Sequence, residues 1–95
     1  MPPLLTQDEV NARLAQLAGW EQSGIYITQT FNFLTFKASI SFVNQVAKAA
    51  EEMDHHPDIV INYARVVLSI TTYSEGGLTR RDFRLAKKIN GLASD

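Results

Sequence analysis

Apolar residues recur along this chain at two different spacings, and the points where the spacing changes mark out the elements. Val10, Leu14 and Leu17 follow one another at helical spacing. Just ahead of them, Thr6-Gln-Asp-Glu9 has the order of a capping box, with Leu5 placed as a hydrophobic staple. A first helix is predicted over about residues 7 to 18, stopped by Gly19. From Trp20 the period becomes two: Ile25, Ile27, Phe31 and Phe33 fall on alternate positions, with Tyr26, Thr28, Thr30 and Asn32 between them. This segment reads as two strands turning near Ser23-Gly24.

Thr35 can cap a second helix, in which Phe36, Ile40, Val43, Ala47 and Ala50 share one stripe while Lys37, Asn44, Lys48 and Glu51 lie off it. It is expected to end near Met53, because Pro57 disfavours helical geometry at His56 and cannot continue the ladder. Alternation returns with Ile59, Ile61 and Tyr63. It resumes after a tight turn around Asn62-Tyr63-Ala64-Arg65, with Val66, Leu68 and Ile70 alternating with Val67, Ser69 and Thr71. Two paired strands are predicted. After a loop at Glu75-Gly76-Gly77, Thr79-Arg-Arg-Asp82 can cap a third helix carrying Leu78, Phe83, Ala86, Ile89 and Leu92.

The order is therefore α-β-β-α-β-β-α. Strands that alternate apolar and polar residues have one face to bury, and two long amphipathic helices can cover it, which predicts an α+β fold. Short strands leave open edges, and pairing edges between subunits is one way to protect them, so a homo-oligomer is expected.

At 95 residues the chain is the size of one domain, read here as residues 1–95. With 45% hydrophobic and 20% charged residues it has ordinary globular usage, which sets disorder and fibrous readings aside. The net charge is -1, and the Lys and Arg residues look spread along the chain, so no nucleic-acid partner is expected. The absence of cysteine excludes disulfides, thiolate metal sites and a cysteine nucleophile. The stretch from Met1 to Asp8 lacks a basic region followed by an apolar run, and no later run approaches the roughly 20 residues that span a bilayer. A cytoplasmic protein without a membrane partner is the expectation.

Both histidines of the chain stand in Asp54-His55-His56-Pro57, between a helix end and a strand start. An imidazole titrates near a pKa of about 6.5 and can give or take a proton at neutral pH. At a bend, neighbouring side chains can enter one cleft; on a strand they would face opposite sides. The pair could equally cap the last carbonyls of the second helix. It could hold a metal only with a carboxylate such as Asp54, Glu51 or Asp82 as a further ligand. Gly76-Gly77 reads as a plain turn, and Arg80-Arg81 and Lys87-Lys88 as the solvated side of the third helix. Trp20, Phe31, Phe33, Phe36 and Phe42 read as core.

The whole chain resembles the pterin-4a-carbinolamine dehydratases, which also serve as dimerisation cofactors in animals. The resemblance runs through Gly19-Trp20, Phe31-Asn-Phe33, Ala50-Glu51-Glu-Met-Asp54-His55-His56-Pro57, Tyr63, Gly77-Leu78-Thr79, Asp82 and Leu85-Ala86. It implies three helices with a four-stranded antiparallel sheet, assembly as homodimers or homotetramers, and dehydration of 4a-hydroxytetrahydropterin to quinonoid dihydropterin without metal or organic cofactor. It also implies roles for particular residues. His55 is similar to the principal acid-base group, His56 to a second histidine that holds or protonates the pterin, and Pro57 to the device that fixes their bend. Glu51, beside Asp54, is similar to the acid that opens the family motif, and Asp82 to a carboxylate orienting an imidazole or the substrate. Where the family usually carries a third histidine or a tryptophan, this chain has Tyr73, which can hydrogen-bond to a pterin or stack on it, but with a pKa of about 10 it is a poor base. The resemblance thus leaves an alternative: a member that keeps the fold and works as a binding or assembly factor for a protein partner, as some bacterial relatives do for RuBisCO.

Overall fold

The computed structural model describes residues 3–93, so Met1, Pro2, Ser94 and Asp95, the ends of the expected domain, lie outside the described residues. Helix α1 covers Gln7–Leu14, strands β1 and β2 cover Glu21–Ser23 and Tyr26–Asn32, and helix α2 covers Phe36–Met53. Strands β3 and β4 cover Asp58–Asn62 and Arg65–Ile70, a 3₁₀ turn covers Tyr73–Glu75, and helix α3 covers Arg80–Ala93. The order and the α+β class are those predicted.

The capping box forms: Glu9 N–H donates to Thr6 Oγ1 and Thr6 N–H to Glu9 Oε1, which holds the Glu9 carboxyl below the usual range. α1 is shorter than predicted, because Gln16 N–H and Leu17 N–H bond three residues back, to Arg13 and Leu14, and tighten the last turns. Gly19 then takes φ +87°, and a Cβ there would lie 2.0 Å from Gln29 Oε1, so the turn requires glycine. The next turn falls one residue later than expected. Ser23 pairs with Tyr26, which places Ile25 in the turn and leaves it exposed.

The sheet is antiparallel, in the order β1-β2-β4-β3. The two sequence-local hairpins are joined by a β2–β4 pairing in which Phe31 sits opposite Val66 and Thr28 opposite Ser69. Ile27, Phe31, Val66, Leu68 and Ile70 are buried on one face, beneath Phe42 and Val46 of α2 and Leu85 and Ile89 of α3. Asn90 on α3 accepts from Trp20 Nε1 and Gln29 Nε2, tying that helix to the β1–β2 side. Ser39 on α2 donates to the Tyr63 carbonyl, tying that helix to the β3–β4 hairpin.

One expected stripe is displaced. The buried face of α2 is Ser39, Phe42, Val46, Ala49 and Ala50, whereas Phe36 and Ala47 are exposed and Ile40 and Val43 half-buried. At about 3.6 residues per turn the two stripes lie roughly 100° apart. α2 is apolar over a wide arc, and packing on the sheet and α3 uses only one side of it. Phe36, expected in the core, is consequently half exposed, while Trp20, Phe31 and Phe42 are buried and Phe33 partly so.

Candidate active site

The sequence places the histidine pair by ending α2 abruptly. Asp54, the C-cap residue, adopts the left-handed conformation at φ 50°, ψ 45°, which aspartate tolerates better than most residues. His55 N–H then donates back to the Ala50 carbonyl at 3.0 Å, closing the helix end. Pro57 follows, half-buried, and β3 begins at Asp58. The bend is thus made at Asp54, one residue ahead of the pair. Arg81 Nη2 holds it from α3, donating to the Asp54 carbonyl at 2.7 Å. Arg81 is half-buried, which corrects its expected place on the solvated side; Arg80, Lys87 and Lys88 do lie there.

The two imidazoles go to different environments. His55 is buried, and its Nε2 stands 2.6 Å from Oδ1 of Asp82, which is fully buried on the first turn of α3. The other carboxylate oxygen of Asp82 accepts from Thr72 Oγ1 at 2.9 Å and Thr79 N–H at 2.8 Å. Among the described residues no buried side-chain polar atom lacks a partner, so this carboxyl group is enclosed with a partner on each oxygen. Among the described residues the Nδ1 of His55 has no hydrogen-bond partner, and it is not sealed from solvent. The ring lines a cavity of about 280 Å³ with Glu52, Met53, Arg81 and Arg84.

His56 is exposed, with Nε2 at 2.5 Å from Oε2 of Glu51, itself 77% exposed on the last turn of α2. Tyr73 makes no hydrogen bond to either histidine. Its hydroxyl donates to Asp58 Oδ2 at 2.9 Å and bonds Tyr26 Oη at 2.8 Å, with the two rings edge to face. These bonds, with Tyr26 first and Asp58 second, push the Tyr73 hydroxyl well above the ordinary tyrosine range. Through Asp58 the phenol is anchored two residues beyond His56.

Of the residues singled out from sequence, the structure therefore joins His55 to Asp82 and His56 to Glu51. It gives Asp54 a backbone role and seats Tyr73 on Asp58. Thr72, Thr79, Tyr26, Asp58 and Arg81 support them and were not anticipated as site residues. The Thr79-to-Asp82 capping spacing was the one signal that tied a buried acceptor to this helix start. Among the described residues no group of three or more His, Cys, Asp or Glu is arranged to hold a metal ion.

A carboxylate-held imidazole pair at a helix-to-strand bend, on a sheet with helices over one face, defines a small α+β protein with both its histidines gathered at one helix end. The family model described as pterin 4 alpha carbinolamine dehydratase matches residues 3–92, and the chain belongs to that family. It is 46% identical over 88 residues to a Sulfolobus acidocaldarius protein provisionally named pterin-4-alpha-carbinolamine dehydratase, covering 93% of this chain and 97% of that one. A similarly named protein of Thermosynechococcus vestitus is 44% identical, with 98% of each chain covered. The crystal structure of a transcriptional coactivator/pterin dehydratase from Brucella melitensis superposes with a TM-score of 0.91 at 38% identity, covering 95% of this chain and 98% of that one. A pterin dehydratase-like RuBisCO assembly factor of the alpha-carboxysome shares the fold, at TM-score 0.68 and 20% identity over 81% of this chain and 92% of that one.

Proposed function

We propose that the protein, acting as a single cytoplasmic domain without metal or organic cofactor, removes water from a 4a-hydroxytetrahydropterin to give quinonoid dihydropterin. The observation that carries this reading is that each imidazole has Nε2 against a carboxylate, His55 on Asp82 and His56 on Glu51. A carboxylate only accepts, so each Nε2–H donates, and each Nδ1 is left as a lone pair on the neutral ring or an N–H on the cation. One ring of each kind is what the reaction requires. The C4a–O bond breaks as His56 delivers a proton to the leaving oxygen, releasing water. Neutral His55 takes the proton from the ring nitrogen, whose electrons form the new double bond. Each such group supplies about 10²- to 10⁴-fold. Asp54 and Pro57 hold the bend, and Tyr73 offers the pterin a hydroxyl and a ring edge.

Purified protein should speed the loss of the 4a-carbinolamine absorbance, and His55→Ala should slow that reaction by about tenfold or more. Decay no faster than in buffer defeats the proposal.

The locked position of Tyr73, bonded away from both histidines, favours a second reading: a binding or assembly factor of the same fold. It predicts a stable protein complex indifferent to His55→Ala, and a Tyr73→His variant that gains dehydratase activity.

Self-association belongs to either reading. β3 is an edge strand, and the half-exposed stripe Phe36, Ile40 and Val43 lies on the side of α2 turned from the core contacts with α3. A homodimer or homotetramer built on these surfaces should dissociate in sedimentation velocity when Ile40→Asp is introduced. A chain that is monomeric before the change rejects it.

A further inference from the structure

The surface of α3 has a charge pattern that proton transfer at the histidine pair does not use. Five of the nine Lys and Arg side chains of the chain, Arg80, Arg81, Arg84, Lys87 and Lys88, fall on this helix, whose one acid, Asp82, is buried beneath it. These five lie within the stretch from Arg80 to Lys88, so the cations are clustered on this helix, which corrects the expectation that they are spread along the chain, although the whole chain is slightly acidic. Arg84, Lys87 and Lys88 are exposed, and none forms an ion pair among the described residues.

These three line one side of a groove of about 870 Å³ between α2 and α3, whose floor is Ala49, Met53 and Leu92. The groove continues at both ends. Glu52, Met53 and Arg84 are shared with the cavity beside His55. Leu92 is shared with a further hollow of about 250 Å³ that reaches Ala38 and Phe42. From Ala38 to Met53, α2 rises about 22 Å, the length of roughly four helical turns.

We propose that this interhelical groove is a docking site for an acidic amphipathic helix of a partner protein. A helix of four turns spans the groove together with the hollows that adjoin it, its apolar stripe meets Ala49, Met53 and Leu92, and acidic side chains beside that stripe meet Arg84, Lys87 and Lys88. Charge complementarity selects this occupant over others. Glu52 stands inside the groove and opposes a continuous polyanion such as nucleic acid, yet it can meet a basic residue of a helix. The apolar residues line the groove floor, so they form no raised wedge to enter a lipid surface. The site is separate from the β3 edge and the outer stripe of α2, so docking and self-association are compatible. It holds whether or not the histidines turn over a pterin.

The probe is a fluorescein-labelled peptide of 16 residues on the order of four turns, with Leu at i, i+3, i+4 and i+7 and Glu elsewhere. It is titrated by anisotropy against the full-length protein. A peptide with Lys replacing Glu and a scrambled acidic peptide serve as controls. Saturable binding of the acidic helix alone is expected. The double variant Arg84→Glu, Lys88→Glu should weaken it by about tenfold or more and should bind the Lys peptide instead. Met53→Glu, with a charge on the floor, should weaken it independently, and circular dichroism checks that each variant is folded. Equal binding of the scrambled peptide, or binding unchanged by both variants, overturns the proposal. So does tighter binding to a single-stranded oligonucleotide or to phosphatidylserine vesicles that the same variants abolish.

Discussion

His55 and His56 are adjacent in the chain, each with Nε2 on a carboxylate, yet the surroundings make them different devices. The carboxylate of His55 is itself held by Thr72 and by the Thr79 amide, inside the protein. That of His56 hangs from the last turn of α2 in solvent, with no second partner among the described residues. Burial makes the first pair a fixed part of the fold, since Asp82 and the contacts it accepts lack water as an alternative, while the Nδ1 side of the His55 ring still faces the cavity. The second pair competes with water for each contact, and its geometry is correspondingly free to follow a ligand.

The difference is sharpest in stability. Asp82→Ala removes the acceptor of His55 Nε2 and of the Thr79 amide and leaves the Thr72 hydroxyl only Thr79 Oγ1, and should cost about 3–5 kcal/mol in urea unfolding. Glu51→Ala, which breaks an exposed contact, should cost under about 1 kcal/mol. Similar losses for the two variants would erase the distinction between a structural and a mobile pair.

Kinetics should separate them a second way. If His55 is the fixed base, His55→Ala should lower kcat by about 100-fold, with a milder loss for His56→Ala, partly in KM, because His56 also holds the substrate. A KM effect confined to His55→Ala would reverse the assignment.

The same contrast explains what could be read from the chain. Features set by local pattern were legible: the capping box at Thr6 and Glu9, the hairpin turning at Tyr63-Ala64, the stop at Gly19. Features set by distant packing were not. The α2 stripe was misplaced because Phe36, Ile40, Val43 and Ala47 are as apolar as Phe42, Val46 and Ala49. Only the position of α3 and the sheet decides which set is buried. The histidine motif marked the site, but its division into a buried and an exposed half depends on Asp82, 27 residues from His55. Tyr73 likewise could be aligned with a site position, while its tie to Asp58 and Tyr26 arises from the 3₁₀ turn meeting the ends of β2 and β3. The cations from Arg80 to Lys88 are clustered in the sequence itself; what the fold adds is that Asp82 turns inward and leaves Arg84, Lys87 and Lys88 exposed.

Tyr73 supplies a smaller test between the two environments, because it is exposed like His56 yet held by two hydrogen bonds, where Asp82 has three. Ionising its hydroxyl forfeits the hydrogen it donates and places a phenolate beside the Asp58 carboxylate, so the folded state raises its pKa above that of the unfolded chain. For a group raised in this way the stabilising contribution is fully present below the unfolded value of about 10 and is lost as pH rises through the folded one. A titration of 13Cζ-labelled tyrosine should therefore show Tyr73 ionising above the ordinary tyrosine range. The Tyr26 bond is the larger cause and stays in Asp58→Asn, so that variant, which removes the charge and keeps an acceptor, should lower the Tyr73 value only part of the way and lessen the fall of stability above about pH 10. If Tyr73 titrates within the ordinary range in the unchanged protein, water has replaced its contacts with Tyr26 and Asp58, and the phenol is then as free as His56 to turn toward a pterin.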